Sequence, residues 1–301
     1  MIRYLKSHEI DHGLWDECIM NSHFVRPYGF SWYLDIVAPG WEAVVSGDYE
    51  AVFPVPCSVR FGIKYIATPV FIQQLGVFSR SGDFTCQAGE FLNFIPDSFR
   101  LIDLCVGDIV QDERYKVTSR TNFELDLSES YEKLRNKFSG NCRRDIEAGR
   151  RRNPEILYDI QPDELIGLFV RNKGKTIRGV KQRDYQHLRS LMDFCIRNSK
   201  GRILGIKAGV KLIYGMFLMD IPGRKTMLFV VNTPESREKN TGYFVVNEVI
   251  RNFASTDNIL DFAGSSIPSI AFFMKSFGCT DVPYFRIYRN RLPWPLKMLK
   301  E

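Results

Sequence analysis

Arg237, Lys239 and Gly242 fall within one six-residue stretch, Arg237-Glu238-Lys239-Asn240-Thr241-Gly242, directly before an amphipathic segment. Two cations and a glycine at the mouth of a helix suit an anionic ligand. The first N–H groups of a helix have no intrahelical acceptor, the helix dipole is positive there, and glycine lets a phosphate approach the backbone. Thr241 can cap the helix, and Asn240 tolerates a left-handed backbone. The chemistry indicated is the binding of a phosphate group.

Other spacings lead nowhere comparable. His8-Glu9-Ile10-Asp11-His12 has the letters of a zinc-peptidase helix, but no third ligand follows, and Asp11 stands as N-cap to a helix holding Leu14, Trp15, Cys18 and Ile19. No metal site is expected. Asn172-Lys173-Gly174-Lys175-Thr176 ends like a P-loop, yet Phe169 occupies the place of its first glycine. Neither G-x-S-x-G nor G-x-G-x-x-G occurs, which removes the common hydrolase and dinucleotide-binding signatures. Seven cysteines without a C-x-x-C pair read as reduced, mostly buried thiols.

Positive charge is concentrated. The chain carries a formal +6, too mild for an obligate nucleic-acid binder, and no DNA partner is expected. Tyr131 to Arg152 alone holds eight Lys or Arg against three acids, including Arg143 and Arg144. The start, Met1 to Glu9, lacks the apolar core of a signal peptide, and no apolar run reaches the roughly 20 residues of a membrane span. A cytoplasmic protein is expected.

The elements that must position these residues follow from periodicity. Arg202–Ala208, Lys211–Asp220 and Lys225–Asn232 read as consecutive strands, Tyr243–Phe253 as a helix with Phe244, Val245, Val249, Ile250 and Phe253 on one face, Asn258–Phe262 as a buried strand, Pro268–Phe277 as a helix ended by Gly278, and Tyr284–Tyr288 as a last strand. A similar order comes earlier: strands Trp41–Val45, Glu50–Val59 and Phe71–Phe78, helix Phe84–Phe94, strand Arg100–Val106. Between them lie a long basic helix with a break at Ser139-Gly140-Asn141, then helices Asp163–Val170 and Tyr185–Arg197. The fold class is α/β (α+β): two similar units, 1–155 and 156–301, each a mixed, mostly antiparallel sheet flanked by helices.

In this order of elements, the Arg237–Gly242 loop and the following Asp261-Phe262-Ala263-Gly264-Ser265 resemble the core of the Gcn5-related N-acetyltransferase (GNAT) superfamily. With two units, and with Asn141–Ala148 and Ile267–Gly278 near the domain junction and the end, the chain looks most like the tandem FemAB-type aminoacyltransferases and their bacterial relatives. The resemblance implies acyl or aminoacyl transfer to an amine held in a cleft. The donor would be acyl-CoA or aminoacyl-tRNA, the acceptor a small molecule or something like a peptidoglycan precursor, and no metal would take part.

It assigns Arg237, Lys239, Asn240, Thr241 and Gly242 to the donor's phosphates, Gly264 and Ser265 to the cleft floor, and Lys275 to anion or oxyanion contact. Asn240 stands where the family's loop has its first glycine, and Met274 where many members have a tyrosine acid. Arg143, Arg144, Gln74 and Tyr214 are further substrate-binding candidates. The other reading that these departures permit is an inactive relative that binds a peptide, nucleotide or RNA in the same cleft.

Overall fold

The computed structural model describes residues 1–23, 25–80, 88–173, 179–264 and 267–298. Contacts divide the chain into two compact units, Met1–Thr121 with Pro283–Glu301, and Asn122–Val282. The first holds β1 (Ile2–Leu5), α1 (His12–Met20), α2 (Ser31–Val37), β2 (Glu42–Ser46), β3 (Ala51–Val55), β4 (Cys57–Arg60), β5 (Ile63–Ala67), β6 (Phe78–Ser79), α3 (Ala88–Leu92) and β7 (Phe99–Val106). The chain passes through β8 (Lys116–Asp126) into the second unit. That unit holds α4 (Tyr131–Lys137), α5 (Gly140–Arg150), α6 (Pro162–Lys173), α7 (Gln182–Arg197), β9 (Gly201–Ala208), β10 (Lys211–Ile221), β11 (Arg224–Asn232), α8 (Pro234–Glu238), α9 (Thr241–Phe253), β12 (Ile259–Asp261) and α10 (Pro268–Lys275), and β13 (Thr280–Asn290) leads back to the first unit.

One pairing pattern occurs in both units. In the first, β4 pairs antiparallel with β5, β5 parallel with β7, and β7 antiparallel with β13. In the second, β10 pairs antiparallel with β11, β11 parallel with β12, and β12 antiparallel with β8. The units are thus mixed, mostly antiparallel sheets of matching topology. The first adds a four-stranded antiparallel sheet in the order β1-β2-β3-β6, and the second extends its row with β9.

The first unit departs from expectation in two places. Glu50–Val59 is not one strand, because Pro56 interrupts it and β3 and β4 join different sheets. Nor is Phe71–Phe78 the strand that runs beside β7. That role belongs to β5, after which the chain leaves the ladder and returns to it at the Leu75–Val106 bridge. The expected helix Phe84–Phe94 is seen as α3, its earlier residues lying outside the described ones. His8 lies in a short 3-10 turn and His12 opens α1, so the two imidazoles do not share a helix, and Asp11 caps α1 by accepting from the amides of Gly13 and Leu14.

In the second unit the basic segment breaks where Ser139 caps α5 by accepting from the Cys142 amide. Leu134, Phe138, Cys142 and Ile146 enter one core with Phe244, Val245, Val249 and Ile250 of α9, so 122–155 packs with the second unit. Gly149 permits a close crossing: a Cβ there would lie 2.9 Å from the Asn240 carbonyl oxygen and 3.1 Å from the Phe244 Cβ. No helix among the described residues is long and apolar enough to cross a membrane.

The six described cysteines are free. Burial pushes the thiol of Cys142 up to about 11 and that of Cys195 up to about 12. Since the thiolate is the nucleophile, both should resist a disulfide reagent at pH 8 in the native protein and react at once in urea. Fast native labelling of either, located by peptide mapping, would contradict this packing.

Candidate functional site

The site begins where two parallel strands part. β11 and β12 pair only at Arg224–Ile259, Lys225–Leu260 and Thr226–Asp261. β11 then continues to Asn232 against β10 alone, and one extra residue, Leu228, is accommodated as the register shifts between Phe217 and Leu218. Such a bulge increases local twist and turns the strand away from its former neighbour. The β12-facing edge of β11 from Met227 onward is therefore open. After β12 the chain turns through two left-handed residues, Ala263 (φ 55°) and Gly264 (φ 52°), and the Ala263 amide donates to Asp261.

Beneath the parting lies a buried charge cluster. The Arg224 guanidinium donates to Asp261 at 2.8 Å and to Glu124 at 3.0 Å, while Asn122 donates to Asp261 at 2.9 Å. Asp261 is fully buried and Arg224 nearly so. With partners on three strands, the cluster fixes β8, β12 and β11 in register at the point of divergence.

The loop that follows β11 is more ordered than its polar sequence suggests. Thr233 caps α8 by accepting from the Ser236 amide. Asn240, at φ 55°, takes the left-handed conformation and starts α9 without a side-chain cap. The first intrahelical bond runs from the Phe244 amide to the Asn240 carbonyl, so the amides of Thr241, Gly242 and Tyr243 form the positive end of the helix.

Around this turn the structure gathers most of the residues assigned to the donor. Asn232, which sequence reasoning missed, is the hub. Its carbonyl accepts from Arg237 at 2.6 Å, its side-chain oxygen from Ser236 at 2.7 Å, and its amide nitrogen would lie 3.1 Å from a Cβ on Gly242. The only sequence signal was a polar residue closing an apolar strand. Lys239 pairs with Glu235 at 2.8 Å. Thr241 is buried, and Tyr214 lies behind Gly242 in the core, where burial pushes its hydroxyl pKa up.

The other candidates belong to other elements. Lys275 is half exposed, pairs with Asp281 at 2.7 Å and stands over the Phe123 ring. Gln74 belongs to the first unit, fully buried, with its amide donating to Gln73. Gly264 ends the turn after β12, and Ser265 lies outside the described residues. Arg143 and Arg144 lie on the outer side of α5, where with Arg135, Arg151 and Glu147 they line an open depression of about 750 Å³. Glu147 is shared between Arg135 and Arg150, which leaves the depression strongly positive. Among the described residues no cluster of His, Cys, Asp and Glu is placed to hold a metal.

No family model matches the sequence, and no curated protein matches it. Solved structures do. FemX aligns at TM-score 0.63 with 12% identity, over 96% of this chain and 98% of its own. A tandem GNAT protein from the clavulanic acid biosynthesis pathway aligns at 0.54 with 12% identity, over 97% and 99%. The chain has the tandem GNAT fold. L-PGS from Bacillus licheniformis aligns at TM-score 0.55 with 13% identity, over 96% of this chain and 95% of its own.

Proposed function

We propose that this chain is an acyltransferase that passes an acyl or aminoacyl group from a phosphate-bearing donor to an amine. The parting of β11 from β12 carries this reading: beyond Thr226 the edge of β11 is no longer paired with β12, which suits an extended donor arm, and the strand ends beside the first turn of α9. That turn, with Arg237 and Lys239, suits the donor's phosphates.

The chemistry needs little beyond placement. A neutral amine attacks the activated carbonyl, with positioning and oxyanion stabilisation supplying the acceleration. Lys275 can serve at the oxyanion only if its exposed pair with Asp281 opens, which such pairs do at small cost. The arginine-lined side of α5 supplies a second phosphate-binding surface, for the acceptor or for the remainder of a large donor. Coenzyme A and aminoacyl-tRNA both satisfy these requirements.

Calorimetric titration with coenzyme A and with an aminoacylated RNA minihelix tests the assignment. Arg237→Ala removes a charge-assisted contact at an exposed position and should weaken the true donor by about 10- to 150-fold with little change in melting temperature. Unaltered affinity for whichever donor binds would remove the α9 turn from the site.

A further inference from the structure

β13 carries an arginine where its pattern calls for an aliphatic residue. Ile287 is fully buried opposite Leu104, and two residues later Arg289 faces the same way opposite Ile102, itself fully buried. Arg289 is only 6% exposed. Its Nε and Nη2 are buried with no hydrogen-bond partner among the described residues.

The nearby carboxylates are engaged elsewhere, since Asp97 accepts from Arg291 at 2.8 Å and Asp112 accepts from Arg114 at 2.9 Å. The guanidinium stacks over Tyr115, 5.2 Å from the ring centroid, and the Tyr115 hydroxyl is likewise buried and unpartnered. Burial depresses the Arg289 pKa, and Arg291 and Arg114 act in the same direction. Three cations thus share two carboxylates, and the uncompensated charge is the one removed from water. That is an expensive arrangement for a group with no task.

Nε and Nη2 form the edge of a guanidinium that binds two oxygens of one anion side by side. We propose that Arg289 and Tyr115 form an anion site in the first unit, taking the carboxylate or phosphate-monoester group of a ligand, with the tyrosine hydroxyl as third donor. One bound anion would neutralise the excess charge and satisfy all three orphaned groups. The site owes nothing to the donor turn of the second unit, so it stands independently of the transferase assignment.

Thermal and calorimetric titration of the whole chain with sodium phosphate and with sodium acetate, each against sodium chloride at equal ionic strength, tests it and separates the two anion types. At least one anion should bind with unit stoichiometry and raise the melting temperature in a saturable way. Arg289→Met should abolish that response and, without added anion, melt above the wild type, because a buried unpaired charge has been replaced by an apolar side chain. Tyr115→Phe should fold normally and weaken binding about tenfold. The proposal is overturned if neither anion stabilises the wild type beyond chloride, if Tyr115→Phe responds as the wild type does, or if Arg289→Met melts below the wild type or keeps the response.

Discussion

Replacing Asp261 by alanine should lower the stability of the second unit by about 3–5 kcal/mol, the usual result of removing one member of a buried ion pair. The loss arises from what is left behind. Arg224 keeps Glu124 but loses its fully buried partner, and the Asn122 amide and the Ala263 amide each lose an acceptor. Asp261→Asn retains a neutral acceptor and should cost less. Urea unfolding followed by far-ultraviolet circular dichroism measures both; a loss under about 1 kcal/mol for Asp261→Ala would mean that the cluster is not what holds the parting strands in register.

Gly278→Ala should cost roughly 2–5 kcal/mol although it adds a single methyl group. Gly278 has φ 73°, a conformation that penalises any side chain by about 1–2 kcal/mol. The added Cβ would also meet the Lys137 Cβ at 2.8 Å and the Lys137 carbonyl oxygen at 2.9 Å, and such overpacking costs about 1–3 kcal/mol more. The strain falls where the end of α10 meets the break between α4 and α5, joined by the bond from the Ser139 amide to the Ser276 carbonyl. A melting temperature within a degree of the wild type would show that this junction yields freely.

What the sequence disclosed follows the range of the interactions involved. The period of Phe244, Val245, Val249 and Ile250, the Asp11 cap and the Ser139 break depend on neighbours within a few residues, and each is where local chemistry puts it. Pairings across long separations were not legible: β13 returns to β7, with Arg286 bonded to Asp103 across 183 residues. The alternation Phe123-Glu124-Leu125-Asp126 marks the end of Lys116–Asp126 as a strand, but its pairing with β12 is set by residues more than a hundred positions away. In the first unit the apolar content of Phe71–Phe78 suggested a strand, but Phe71 at φ 70° belongs to the excursion that carries the chain off the ladder. At the candidate site, Arg237–Gly242 could be read because a loop before a helix has its own signature. Asn232 and the Arg224–Asp261 cluster could not, since their importance comes from which strands lie side by side.

The contact of Gly149 with the Asn240 carbonyl bears on how quickly a ligand could be captured. Because α5 abuts the left-handed residue that starts α9, with no side chain between them, the turn cannot unwind without lifting a helix whose inner face is part of the core. The amides of Thr241, Gly242 and Tyr243 are consequently aimed before any ligand arrives, and binding there incurs no ordering entropy from the loop. Association would be set by diffusion and steering, and substitutions around the turn would change residence time far more than the rate of arrival.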